Sequence, residues 1–228
     1  MNFLALCQAV REKAGISGTG PVTVIKQQGE MLRIVNWVND AWEELQNLNE
    51  NWKWMRQEFT FQTTAMTRAY PPLPIVADHT QWHEETLRCY KTSDGVSTEQ
   101  FMSDMKYGDF RDSYMFGAMS TMAGRPMIFA QRDRDKALML GPLPDGIYTI
   151  YGEYQQAATR MAADTDLPAL GGFPTEYQMA IVHLAVMKYA IFEGAGALFQ
   201  SHQEEYRKIL RALERDQLED VALGEALA

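Results

Sequence analysis

Cysteine is scarce in this sequence. Its 228 residues hold two, Cys7 and Cys89, far apart and outside any Cys-x-x-Cys pair. That excludes a disulfide-stapled scaffold and makes a reduced, cytosolic history the expectation. Basic charge is also short. Lys and Arg number 21 against 30 Asp and Glu, for a net charge of -9. Gripping nucleic acid through its phosphates needs clustered cations, so that function is disfavoured. Long apolar runs are missing as well. The nearest approach, residues 179–192, contains His183 and Lys188 and is shorter than the roughly 18 residues a membrane span needs. The opening MNFLALCQAVREK has no basic stretch ahead of its apolar residues and no small-residue cleavage site after them, so no signal peptide is expected. There is no internal repeat and no low-complexity segment.

Catalytic signatures are missing too. No GxSxG nucleophile motif is present. GISGTGP, Gly15 to Pro21, has the glycine content of a phosphate loop but not its context. A dinucleotide loop follows a strand and opens a helix, whereas this one follows a helical pattern with glycines in the wrong spacing. A P-loop would need Lys and Ser or Thr after the last glycine, where Pro21 stands. The expected role is a helix end followed by a mobile interhelical loop. His79 and His83, in HTQWHEE, would share one face of a helix and could hold zinc with a carboxylate. Their segment follows a proline-rich stretch and lacks the Glu of HExxH, so a solvated loop or helix start is expected. His183 and Lys188 interrupt the most apolar segment; a hydrogen-bonded core histidine and a snorkelling lysine are the plain expectation. Asp104, Asp109, Asp112, Asp164 and Asp166 lie in polar segments and are expected on solvated faces. No metal and no cofactor is expected.

The residues that are present alternate between two periods. Phe3, Leu4, Leu6, Cys7 and Val10 form a short apolar helix face. Met31, Ile34, Val35, Val38, Ala41, Trp42, Leu45 and Leu48 recur at spacings of three and four, an amphipathic helix of five to six turns. From Arg56 the period changes to strand composition, Phe59 to Ala65. Ser97 and Gln100 have the spacing of a capping box and predict a helix carrying Phe101, Met102 and Met105. MIFAQ (127–131), KALML (136–140) and IYTIYGEYQ (147–155) predict a three-stranded antiparallel meander with Phe59–Ala65 beside it. Thr175 and Gln178 suggest another cap, followed by a helix apolar almost all round. A last helix starts near Leu198 with Phe199, His202, Tyr206, Ile209, Leu210 and Leu213 on one stripe. Methionines cluster at Met102, Met105, Met115, Met119, Met122 and Met127, suited to an adaptable contact loop or to core filling.

The order is therefore helices, a β region, then helices. Two stretches in that order are similar to a known family. One is FLALCQAVREKAGIS, then GTGP, then QGE and RIVNWVNDAWEELQ. The other is GRPMIFAQRDRDKALMLGPLPDGIYTIYGEYQQAA. Both resemble the head-to-tail adaptor, or head-tail connector, proteins of tailed bacteriophages, over about residues 2–215. The resemblance implies an α+β fold in which N- and C-terminal helices form a bundle with an inserted antiparallel β domain. The corresponding segments are 1–55, N-terminal helices; 56–160, β-rich domain; 161–215, C-terminal helices; and 216–228, a C-terminal arm. It implies a structural virion protein of the neck, assembled in the host cytoplasm, not an enzyme. Its partners would be the portal protein, a tail or nozzle protein, and copies of itself in a ring of twelve, through which packaged DNA passes unbound. Interfaces are assigned as expectations only. Tyr206, Ile209, Leu213, Leu218, Val221, Leu223 and Leu227 would face the portal, so truncation after about Asp216 should leave a folded chain unable to bind it. Arg132, Asp133, Arg134, Asp135 and Lys136 would face the tail or a neighbour. The rival assignments are a tail terminator or nozzle ring protein, an unrelated α+β binding module, and a metal-dependent hydrolase using His79 and His83.

Overall fold

The computed structural model describes residues 1–218. The chain divides into two compact units, one made of Met1–Met55 with the chain from Ala158 onward, the other of Arg56–Ala157.

The first unit is helical. Helix α1 (Phe3–Lys13) starts at Asn2, whose side chain accepts from the Ala5 amide at 2.9 Å, and buries Phe3, Leu6, Cys7 and Val10. Helix α2 (Gly29–Asn47) buries Ile34, Val35, Val38, Ala41, Trp42 and Leu45, the face its periodicity predicts. Its C-terminal end meets an aromatic cluster. Trp42, Trp54 and Phe173 have ring centroids 5.1 to 5.3 Å apart, within the range of favourable tilted and edge contacts. The Trp52 indole nearby donates to the Leu45 carbonyl at 3.1 Å.

Two further helices complete this core; the short helices α3 (Pro72–Ile75) and α4 (Tyr107–Tyr114) belong to the second unit. The helix Met179–Glu193, α5, is buried on all sides from Ala180 to Met187. It stops at Gly194, whose φ of 68° is a left-handed cap that a side chain would strain. Helix α6 (Gly196–Gln217) is amphipathic and buries His202 and Leu213. Thr175 does not cap α5. It lies in a single turn, Thr175–Tyr177, without a side-chain cap bond.

The second unit is built on β-structure. Strands β1 (Arg56–Gln62), β2 (Ala69–Tyr70), β3 (His79–Lys91), β4 (Gln100–Phe101), β5 (Ser103–Asp104), β6 (Ala123–Gly124), β7 (Ile128–Gln131), β8 (Leu138–Gly141), β9 (Leu143–Pro144) and β10 (Tyr148–Gln156) are accompanied by the one-turn α3 (Pro72–Ile75) and by α4 (Tyr107–Tyr114). One sheet has the order β1-β10-β3-β4, another β2-β8-β7-β5, and β6 pairs with β9. Phe59, Trp82, Leu87 and Ile150 from the first sheet share a core with Phe129, Leu138 and Leu140 from the second. Strand β8 is buried on both faces. Its Met139 turns the other way, onto Phe110 and Tyr114 of α4. A Cβ on Gly141 would stand 3.0 Å from both those rings, so any larger residue there makes them shift by a few tenths of an ångström. The pairs β5–β7 and β6–β9 are parallel; the other pairs are antiparallel.

Three sequence expectations need correction here. The meander is divided: β7 and β8 form a hairpin, but β10 leaves them and lies between β1 and β3. The turn GPLPDG does not fold back locally, because Leu143–Pro144 bridges Ala123–Gly124 and carries the chain to the other sheet. The helix expected from Ser97 is absent. Ser97 donates to the Asp94 carbonyl at 3.2 Å, and Phe101 and Met102 alternate between exposed at 61% and buried at 6%, the period of a strand. The segment of His79 and His83 is neither loop nor helix but the first half of β3.

Candidate interaction surfaces

The charged turn RDRDK is the most regular of the predicted sites. It closes the β7–β8 hairpin, and its backbone is tied by Arg132 N–H to Ala137 O at 2.9 Å and Lys136 N–H to Arg132 O at 2.8 Å. The Arg132 guanidinium folds back on Asp135 with two bonds, 2.8 and 2.6 Å. Ion pairing holds Asp135 below the usual carboxylate range and Arg132 above its own. From β3, the Trp82 indole donates to the Lys136 carbonyl at 2.8 Å. Two of the five charges thus shape the turn, while Asp133, Arg134 and Lys136 are exposed. A surface presented this way loses little conformational freedom when a partner binds.

The α6 stripe faces inward as far as it is described. Leu213 is fully buried, and Tyr206, Ile209, Leu210 and Leu218 pack against the same helical core. Burial raises the Tyr206 hydroxyl to about 12. Lys53 also donates to the Asp216 carbonyl at 3.3 Å. Val221, Leu223 and Leu227 lie outside the described residues.

The glycine loop, expected as a mobile linker, bonds to side chains of α1. Arg11 donates to the Ile16 carbonyl at 3.1 Å and also bonds the Gly18 carbonyl. Gln8 donates to the Pro21 carbonyl at 3.0 Å. Gly15, Gly18 and Gly20 have φ of 69°, 100° and 139°, so their role is backbone geometry. The Asp164 carboxylate accepts from Val24 N–H at 2.6 Å and Thr23 Oγ1 at 3.1 Å. Asp166 accepts from the Ala162 and Ala163 amides at 2.7 and 2.9 Å, which lowers its pKa. These two aspartates bind backbone and are not merely solvated; Asp104, Asp109 and Asp112 are exposed as expected.

His79 stacks on Trp82 with centroids 4.0 Å apart, and burial with Lys136 nearby lowers its pKa to about 4. His83 is buried and meets the Gln155 side-chain oxygen at 3.2 Å. Among the described residues, no three His, Cys, Asp or Glu side chains converge as a metal site would require. No described helix is long and apolar enough to cross a membrane. His183 and His202 face each other between α5 and α6, their Nδ1 atoms 2.8 Å apart and both rings buried. Lys188 reaches Glu44 of α2 at 2.5 Å. The methionine cluster divides: Met102 is core, whereas Met119, Met122 and Met127 are exposed, as is Phe116.

Two structural side chains differ from the sequence reading, which sets Asn39 on the polar face of α2 and assigns Gln46 no role. Asn39 and Gln46 lie seven residues apart on the buried face of α2, at 8% and 3% exposure. Asn39 donates to the Met161 carbonyl and accepts from its N–H, both at 3.0 Å. Gln46 does the same with Thr159, both at 2.9 Å. Each amide substitutes for a neighbouring strand. Between them Arg160 points outward to Asp40 and Glu43 at 2.7 and 2.6 Å. The available signal was two amides in register with an apolar stripe.

None of the curated proteins matches the chain. The family model of the SU10 adaptor protein matches residues 1–225, and the chain belongs to that family of bacteriophage structural adaptors.

Proposed function

We propose that the chain is a head-to-tail adaptor of the virion neck. Copies assemble as a ring beneath the portal, twelve in number as in the proteins it resembles. The ring continues the DNA channel and offers its far face to the tail or nozzle. The observation that carries this is the family match over residues 1–225. The α+β content supports it, with helices before and after the β region. In this proposal the N- and C-terminal helices act as the bundle and the β-rich segment as its insertion. An acidic chain, at net charge -9, suits a conduit that DNA passes without adhering.

The portal contact is proposed for the C-terminal arm. Because Tyr206, Ile209, Leu213 and Leu218 pack on their own helical core, the contact narrows to Val221, Leu223 and Leu227, and the cut belongs after Leu218 instead of Asp216. The exposed charges of the 132–136 turn are proposed to face the tail or a neighbouring copy.

Truncation after Leu218 leaves thermal unfolding unchanged and abolishes co-purification with the portal; a truncated chain that still binds the portal places that contact elsewhere. Reversing Asp133 and Arg134 together, to Lys and Glu, keeps the Arg132–Asp135 bonds and the hairpin, at the loss of the longer, exposed Arg134–Asp135 pair at 3.8 Å, and weakens tail attachment about tenfold. Unchanged attachment removes the turn from the tail interface. A ring that binds tail tube but not portal would make the protein a tail terminator.

A further inference from the structure

His183 and His202 meet where packing alone asks for nothing polar. Helix α5 is buried from Ala180 to Met187, and His183 is the one polar side chain in that stretch. The α6 stripe that meets it carries Leu213, with Tyr206, Ile209 and Leu210 packed on the same core. An apolar pair would fill this contact without burying polar atoms. Instead two imidazoles, each 8% exposed, hold their Nδ1 atoms 2.8 Å apart.

Two nitrogens converging from different helices have the makings of a metal site. Tetrahedral zinc takes imidazole nitrogens at about 2.0–2.1 Å, which sets a pair of them about 3.3 Å apart. The rings need to part by only about half an ångström to admit the ion. Imidazole must be unprotonated to bind a metal. Burial holds His183 at about 4 and lowers His202 as well, so protons do not compete at neutral pH. The ring that donates from Nδ1 would carry its hydrogen on Nε2 instead.

Glu205 supplies a third group. It follows His202 by three residues on α6, a spacing that shares one face, and its carboxylate favours the charged form of both rings. It bonds Lys208 at 2.6 Å, so the three side chains do not converge as they stand. That ion pair is exposed at both ends, and a pair of this kind is easily given up. Lys13 of α1 is the charge that opposes a cation here; it is exposed too.

We infer that His183 and His202, joined by Glu205, form a site for one divalent transition-metal ion of the zinc type, which clips α5 to α6. Water completes the coordination. The site lies within the helical unit and is independent of the adaptor proposal, so it is measured without portal. Zinc titrated calorimetrically at pH 7 into the full chain, stripped beforehand with a chelator, should bind one ion per chain at micromolar concentration and raise the unfolding temperature. His202→Gln should lose the heat and the temperature shift together. Two exposed substitutions spare the core. Glu205→Gln should weaken binding about tenfold, and Lys208→Ala, which frees Glu205, should tighten it by up to about fivefold. A chain that takes up no zinc at millimolar concentration overturns the inference. So does zinc that binds His202→Gln as well as wild type, and so does binding that neither Glu205→Gln nor Lys208→Ala alters.

Discussion

Replacing Asn39 by Ala lowers the unfolding free energy by about 2–5 kcal/mol. The substitution removes two hydrogen bonds and leaves the N–H and C=O of Met161 buried without partners, and each orphaned group costs about 1–3 kcal/mol. Gln46→Ala removes the matching pair of bonds to Thr159, but Thr159 is exposed, so water reaches the freed groups and the loss is smaller than at Asn39. Asn39→Leu, which conserves bulk, is no milder, because the loss lies in the backbone left behind. Asn39→Asp is also severe: its carboxylate still accepts from Met161 N–H but confronts the Met161 carbonyl, and it buries a charge. The internal control is Arg160→Ala. Its two ion pairs are short, at 2.7 and 2.6 Å, but the side chain is 50% exposed, so the cost stays below about 1 kcal/mol. Chemical denaturation of the five single variants tests the ordering. A result in which Arg160 outweighs Asn39 would mean that charge, not backbone satisfaction, holds the returning segment to α2. The double variant Asn39→Ala, Gln46→Ala should cost less than the sum, since losing one clamp loosens the segment that the other holds.

Stability falls as pH drops from about 6.5 to about 4, and the His183–His202 pair is a main cause. At Nδ1–Nδ1 2.8 Å, one neutral ring donates and the other accepts. Burial lowers the His183 pKa to about 4, with His202 and Lys13 of α1 acting in the same direction and Glu205 of α6 opposing. Burial followed by Lys13 lowers His202, again opposed by Glu205. The unfolded chain, with histidine near 6.5, binds protons that the folded chain refuses. Stability is therefore full above the unfolded pKa and is lost progressively toward the folded one. The first proton can be shared across the pair; a second brings two N–H groups head to head and opens the α5–α6 contact. The loss attributable to His183 is on the order of 2–3 kcal/mol. His79 adds to the slope, because burial lowers it to about 4 as well. Unfolding curves at pH 7.5, 6, 5 and 4 should show the decline, and His183→Asn or His202→Gln should flatten it in part. Equal slopes in wild type and both variants would assign the acid sensitivity elsewhere.

Local periodicity carried the helices. The α2 face, the all-round apolar α5 and the amphipathic α6 are visible because helix burial repeats every three to four residues, and the residues that share a face are neighbours in sequence. The β7–β8 hairpin was legible for a similar reason, since its partners are a turn apart. Everything that depended on distant partners was harder. Strand β10 reads like the third strand of a meander, but it pairs with residues 56–62 and 79–91, and nothing local distinguishes the two outcomes. Ser97 and Gln100 have capping spacing, yet Phe101 and Met102 alternate because a sheet edge and a core lie on either side of them. His79 and His83 look like metal ligands only if helical. Asn39 and Gln46 look like helix polarity until their partners at 161 and 159 are placed. The α6 stripe was legible as an apolar face, but its use was not. Leu213 serves the chain's own core, and the sequence pattern for a core contact is the same as that for a partner contact.

The central claim is assembly on the portal. The decisive measurement is the native mass of the full chain mixed with purified portal protein, compared with each alone. The adaptor account predicts that portal particles gain one chain per portal subunit, giving a twelve-fold ring, while the chain alone forms no such ring. Portal particles whose mass is unchanged at saturating chain would contradict it.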